Sequence, residues 1–159
     1  MTNQEKAQIE AWRSAGQSIV FTNGVFDILH AGHVTYLIAA KALGDKLVVG
    51  LNSDASVRML DKGPERPINE ASDRKTVLEA IQAIDAVIVF EAQTPEDLIA
   101  DVQPDVLVKG GDYNSEARTG EVGFIVGSEE VRRRGGRVVV IPLLPGRSTT
   151  NIIKKSRSH

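Results

Sequence analysis

A single α/β domain of the doubly wound, Rossmann-like kind, built on a five-stranded parallel sheet, is the fold this sequence predicts. Three observations predict it. Short runs rich in Val, Ile and Leu recur at residues 19–22, 47–51, 86–90, 105–109 and 137–143. Stretches with helical spacing separate them, and alternation of that kind makes a parallel sheet covered on both faces. Aromatic residues are only 4% of a chain that is 42% hydrophobic, which favours buried aliphatic strands over an aromatic-rich sandwich.

The elements follow in order. Residues 4–15 have helical composition and Gly16 is a stop; residues 1–17 are read as an N-terminal helix ahead of a domain over 18–159. The first strand halts at Asn23-Gly24. Gly32 to Leu43 reads as a helix with Val34, Leu37, Ile38 and Leu43 near one face, and Gly44 stands where a left-handed cap is expected. Residues 52–71 are polar, carry two prolines and are read as a long loop with room for one helical turn. Loops of that length are commonly functional or disordered. A helix over 73–84 precedes the third strand. Thr94-Pro95-Glu96-Asp97 is a helix start, with Thr as cap and Pro first. Ser128 is expected to cap a helix reaching Arg134, and Ser148 to begin a last short one. Residues 110–124 are Gly-rich and are assigned to no element.

Composition excludes several functions. Nineteen basic and 21 acidic residues leave a net charge of −2, so no global field draws the chain to nucleic acid or membrane. There is no cysteine, hence no disulfide, thiolate nucleophile or Cys-ligated zinc. The polar N-terminus lacks the apolar core of a secretory signal. No apolar run approaches the ~20 residues that span a bilayer. A soluble, cytoplasmic protein is expected.

The informative stretch is Thr22 to His33, which links the first strand to the first helix, where an open sheet presents its ligand crevice. His30 falls near the helix cap and His33 in the first turn. At that spacing both imidazoles can face the volume beyond the helix end, into which free N–H groups and the positive dipole end also point. Gly32 between them permits close approach of an anion to the backbone. The arrangement reads as a phosphate cradle, with helix capping and metal binding as the competing readings. No third metal ligand is evident nearby. The G-x-G-x-x-G fingerprint of dinucleotide sites is missing from this turn.

G-x-F-D-x-x-H-x-G-H, running here from Gly24 to His33, resembles the hallmark of the cytidylyltransferase-like nucleotidyltransferases. Arg147-Ser148-Thr149-Thr150 is similar to that family's second motif. Leu51-Asn52-Ser53-Asp54, Glu65-Arg66-Pro67-Ile68-Asn69, Val108-Lys109-Gly110-Gly111-Asp112-Tyr113 and Ser148 to Ile153 resemble the adenylyltransferases of ADP-heptose synthesis, over roughly residues 18–155. The resemblance implies transfer of AMP from ATP, with Mg2+, to a heptose 1-phosphate, releasing pyrophosphate. It also implies a stand-alone form served by a separate sugar kinase, and a homodimer or higher homo-oligomer. Two rivals remain open: an enzyme with another acceptor, such as glycerol 3-phosphate with CTP, and a non-catalytic nucleotide sensor.

The same resemblance distributes roles. His30, His33 and the loop residue Lys62 are implied as catalytic. Asn23, Gly24, Val25, Phe26, Asp27, Gly32, Lys109, Gly110, Asp112, Arg147, Ser148, Thr149 and Thr150 are implied at the nucleotide. Asn52, Asp54, Arg66, Arg74 and Tyr113 are implied at the acceptor. Each has a plainer alternative: a surface lysine for Lys62, an amide-bonded structural carboxylate for Asp27, a helix cap for Ser148, ion pairs for Arg66 and Arg74. Asp27 is also read as orienting its loop or helping to hold magnesium; no metal ligand is otherwise assigned. Residues 113–124 are longer than the family pattern, beside the expected sugar site.

Overall fold

The computed structural model describes residues 1–60 and 63–157. In chain order the elements are α1 (Asn3–Ser14), β1 (Ile19–Gly24), α2 (Ala31–Lys41), β2 (Lys46–Asn52), α3 (Asp54–Arg58), α4 (Ala71–Glu79), β3 (Ala86–Phe90), α5 (Glu96–Val102), β4 (Val106–Gly110), α6 (Ser128–Arg133), β5 (Arg137–Ile141) and α7 (Thr149–Arg157). The five strands form one sheet in the order β3-β2-β1-β4-β5, and every adjacent pair is parallel. The expected doubly wound fold is therefore present.

Alternation along the strands divides the core into two layers, as a period of two requires. Ile19, Phe21, Val48 and Leu107 join Ile9 of α1, Leu98, Ile99 and Val102 of α5, and Val131 of α6 on one face. Val20, Leu47, Val49 and Val108 join Tyr36, Leu37 and Ala40 of α2 and Leu78 of α4 on the other. The N-terminal helix thus shares the domain's core through Ile9. Its start is a capping box, in which Thr2 Oγ1 accepts from Glu5 N and the Glu5 carboxylate accepts from Thr2 N. At the β3 edge of the sheet, Lys75 Nζ donates to the Val87 carbonyl at 2.7 Å and to Glu79.

Several local expectations are corrected. On α2 the buried residues are Gly32, Tyr36, Leu37 and Ala40, while Val34 is 37% and Ile38 57% exposed. Apolar spacing alone did not reveal which flank the sheet covers. Gly44 is not left-handed; a Cβ there would lie 2.7 Å from Val20 Cγ2 and 2.9 Å from Ser18 Oγ, so close packing explains it. The cap of α5 is Pro95, with no side-chain bond from Thr94, and the cap of α6 is Gly127 at φ +82°, with Ser128 already helical. The helical turn expected within 52–71 is α3, capped by Ser53 Oγ accepting from Ser56 N. Helix α4 begins at Ala71 and ends at Glu79, two and five residues ahead of the expected 73 and 84.

Adjacent residues on α2 test the buried face. Leu37→Ala is expected to cost about 2–5 kcal/mol, and Ile38→Ala within about 0.5 kcal/mol of zero. Urea unfolding midpoints of the two variants measure the contrast.

Candidate active site

The site is built at the carboxyl ends of the strands, where β1 meets α2. The chain leaves β1 through Phe26, whose φ of +48° is a left-handed conformation rare for a side-chain-bearing residue. Phe26 is held there by burial, at 7% exposure, and by a edge-to-face contact with His33 at 5.4 Å between ring centroids. Beside this turn the guanidinium of Arg74 is sealed from solvent. Its Nη1 donates to the carbonyls of Val25 at 2.7 Å and Asn52 at 2.8 Å, Nε to Asn69 O at 2.9 Å and Nη2 to Asp54 Oδ1 at 2.8 Å. Asp27 is equally enclosed: its carboxylate accepts from Arg66 Nε at 2.5 Å, and from the backbone amides of Ile68 and Asn69 at 2.9 Å.

The two imidazoles stack with centroids 3.9 Å apart and planes 27° from parallel. His30 is the cap of α2, and its Nδ1 accepts from Gly32 N at 3.1 Å. Burial, and next the nearby Arg147 guanidinium, lower its pKa from the ordinary value. Burial, and then the neighbouring His30, lower the pKa of His33 to about 4. His33 is therefore neutral at pH 7. Its Nδ1 is buried without a hydrogen-bond partner. A buried lone pair is easier to leave unpaired than a buried N–H, so we assign the proton to Nε2.

His33 lies between two cavities. The larger, about 500 Å³, takes its polar lining from Asn23, Asn52 and Lys109 and its apolar wall from Tyr113, Phe124, Val126 and Leu143. Lys109 Nζ donates to Asn23 Oδ1 at 2.7 Å and lies 5.6 Å from the Tyr113 ring centroid. The smaller, about 340 Å³, is lined by Val25, Phe26, Asp27, His33, Arg66, Thr149 and Thr150. Residues from both ends of the sequence thus share one polar cavity, and Thr149 Oγ1 fastens α7 to this turn by donating to Ile28 O at 3.2 Å.

Other expected site residues are elsewhere or otherwise engaged. Arg74 has every guanidinium nitrogen bonded to protein and cannot grip an acceptor phosphate. Asp54 Oδ1 is taken by Arg74 and by Ala71 N, and Asp54 lines neither cavity. The Asp27 carboxylate, at the wall of the polar cavity, is already engaged by the donors of Arg66, Ile68 and Asn69. Gly32 offers no landing place for an anion. Its amide is bonded to His30, and a Cβ there would lie 2.9 Å from the His30 ring and 3.1 Å from Arg147 Cβ. Gly32 instead lets the second motif pack against the first. Ser148 Oγ caps α7 by accepting from Asn151 N, while Arg147 is exposed and acts on His30 through its charge. Gly110 is small because Leu143 Cδ2 and Tyr36 Cε2 stand 2.7 and 3.0 Å from where its Cβ would be. Asp112 is exposed and outside both cavities, and Lys62 lies outside the described residues.

Sequence reasoning missed Tyr36, Phe124, Val126 and Leu143 in the crevice. Tyr36 was within reach, since it follows His33 by three positions on the same helix face; its hydroxyl meets Thr22 Oγ1 at 2.6 Å. Residues 113–126 form a tied loop, with Asn114 N donating to Gly123 O and Thr119 N to the Glu129 carboxylate. Ala117 and Ile125 anchor it in the interior, each 1% exposed.

Gly32→Ala is expected to displace the His30 ring, whose Cε1 stands 2.9 Å from where the new Cβ would be, with an unchanged circular dichroism spectrum; a shift of the His30 ring protons in NMR checks it. A second test uses pH. The folded state holds His33 below its unfolded pKa, so the unfolded chain binds more protons between about pH 4 and roughly 6.5. Stability therefore falls as pH drops through that window. His33→Gln is expected to flatten this slope in urea midpoints, and the His33 ring proton to titrate near pH 4 by NMR.

Comparison with known proteins fits this geometry. The bifunctional protein HldE of Methylobacillus flagellatus is 52% identical over 152 residues, covering 96% of this chain and 30% of that protein. The protein of the same name from Escherichia coli is 53% identical over 156 residues, 98% of this chain and 31% of that one. The chain spans about 30% of the length of these curated relatives. A solved lipopolysaccharide core biosynthesis protein from Thermoplasma volcanium superposes with a TM-score of 0.62 at 28% identity, over 81% of this chain and 98% of that one. Pantothenate synthetase from Thermus thermophilus, at 14% identity and TM-score 0.58 over 94% and 68% of the two chains, shares the fold alone. The profile of the cytidylyltransferase-like family matches residues 21–155, and the chain belongs to that family of nucleotidyltransferases.

Proposed function

We propose that this chain transfers AMP from ATP to the phosphate of a heptose 1-phosphate, giving ADP-heptose and pyrophosphate. The observation that carries the proposal is the polar cavity in which His33, from the first motif, meets Thr149 and Thr150, from the second. Motifs so far apart in sequence have reason to share a cavity if both hold one extended anion. The heptose assignment rests on the motif resemblance at residues 51–54, 65–69 and 108–113, and on relatives more than 50% identical to the chain. The process named for the Thermoplasma volcanium protein, lipopolysaccharide core biosynthesis, agrees with it.

In this reaction a phosphate oxygen of the sugar attacks the α-phosphorus of ATP, a new P–O bond forms, and the bond to the β-phosphate breaks. The attacking phosphate is already ionised, so no strong base is needed. The task is to hold two anions in line and to stabilise the charge that develops. Neutral His33 serves by donating from Nε2 to a phosphoryl oxygen rather than as a cation. The amino end of α7 supplies further donors. Lys109, held by Asn23 at the crevice floor, supplies positive charge. Magnesium bound with the triphosphate would supply counter-charge to the departing pyrophosphate. Among the described residues no group of three or more His, Cys, Asp or Glu could hold a metal ion.

The sugar 1-phosphate must come from a kinase. The relatives carry the printed name bifunctional, and we assign that kinase to the part of their length this chain does not match. Among the described residues no helix is long and apolar enough to cross a membrane; we place the reaction in the cytoplasm, where ATP is made available.

Pyrophosphate release tests the proposal, with ATP or CTP against heptose 1-phosphates, other sugar 1-phosphates and glycerol 3-phosphate. Release is expected only with ATP and a heptose 1-phosphate. Release with CTP and glycerol 3-phosphate would replace the acceptor, and ATP binding without release from any pair would favour a sensor. His33→Ala is expected to lower kcat at least about a hundredfold, the scale of one transition-state donor, while the fold persists.

A further inference from the structure

Asp27 and Arg66 are 39 residues apart and bond at the rim of the polar cavity. The Asp27 side chain is 0% exposed and that of Arg66 is 11% exposed. A buried carboxylate must be paired or hydrogen-bonded, and the amides of Ile68 and Asn69 already supply donors. Arg66 is engaged only through Nε. Among the described residues its terminal nitrogens have no hydrogen-bond partner, and neither is buried without one.

We propose that Asp27 is a positioning residue that holds Arg66 with its terminal nitrogens turned to the polar cavity, as a fork for the phosphate of the acceptor. The assignment rests on the nucleotidyl-transfer reading above. A planar guanidinium bonded at Nε to a fixed carboxylate loses its freedom to rotate, and its two outer nitrogens keep the spacing that matches phosphate oxygens. Asp27 also fixes the strand of loop that carries Arg66: Asn69 Nδ2 donates to Asp27 O at 2.5 Å, while both neighbouring amides bond the carboxylate.

Topology decides which anion the fork serves. Arg66 lies between β2 and β3 in sequence, and Thr149 and Thr150 follow β5. In the sheet order these are opposite halves, with β1 and His33 at the reversal point between them. In-line transfer needs the incoming phosphate and the departing pyrophosphate on opposite sides of the reacting phosphorus. With the triphosphate on the Thr149 and Thr150 side, the Arg66 side is left to the acceptor.

The test measures ATP affinity by calorimetry and steady-state turnover with a heptose 1-phosphate, for Arg66→Ala, Arg66→Lys, Asp27→Asn and the double variant Asp27→Asn/Arg66→Ala. Each single variant is expected to raise the acceptor KM about tenfold or more while ATP affinity stays within about threefold, as loss of a charge-assisted fork predicts. The double variant is expected to be no worse than Arg66→Ala, since the two residues act as one unit. Wild-type KM in Arg66→Lys, additive losses in the double variant, or an equal loss of ATP affinity would each overturn the assignment. Arg66→Lys decides the matter even if Asp27→Asn does not fold. A wild-type enzyme active with heptose 1-phosphate alongside unaffected variants defeats this inference alone. A wild-type chain that binds ATP but turns over no heptose 1-phosphate defeats the acceptor reading and this inference together.

Discussion

The guanidinium of Arg74 ties the turn after β1, the end of β2 with the start of α3, and the loop before α4 to one point. The carbonyl of Val25 belongs to the turn after β1, that of Asn52 to the end of β2, and that of Asn69 to the loop before α4; the Asp54 carboxylate opens α3. Two of the carbonyls lie 49 and 22 residues away in sequence. Arginine stays charged in any surroundings, and a buried charge is tolerable only when its donors are satisfied. That requirement fixes the turn and the loop relative to one another. The left-handed Phe26, the His33 ring against it and the Asp27–Arg66 pair all sit on ground that Arg74 holds still.

On this base the site divides its labour by burial. His30 serves the architecture, capping α2 and stacking on its neighbour, while His33 meets both cavities. Low-dielectric surroundings keep His33 uncharged, so it can donate a hydrogen bond without bringing a proton that would titrate near neutral pH. Positive charge is carried by Arg66, Lys109 and Arg147, outside the imidazole pair.

The fold was legible because its signals are local. Val- and Ile-rich runs marked all five strands, and residues 86–90 coincide with β3. The two motifs were legible as sequence patterns, and the structure brings His33, Thr149 and Thr150 to one cavity. What could not be read was which polar groups the protein itself had already satisfied. Arg74 and Asp27 look like ligand-binding residues in sequence because both are charged and close to a motif. Their partners come from distant segments, and only those contacts reveal that they are closed. The glycines taught a similar lesson: Gly32, Gly44 and Gly110 are small because a side chain or neighbouring segment stands where Cβ would be. The apolar wall of the crevice escaped notice because Phe124 and Val126 lie in a loop with no periodicity to announce them.

The bond from Lys75 to the Val87 carbonyl has a meaning beyond the domain's own stability. Strand β3 ends the sheet, and such a boundary offers unpaired backbone groups to any other extended chain. Here an ammonium group occupies one of those acceptors, with the Glu79 carboxylate beside it. A foreign strand approaching edge-on would have to displace a charged, hydrated side chain before it could add itself to the sheet. Lys75 thus acts as a guard against runaway polymerisation, letting an open sheet remain open without becoming a template for fibres.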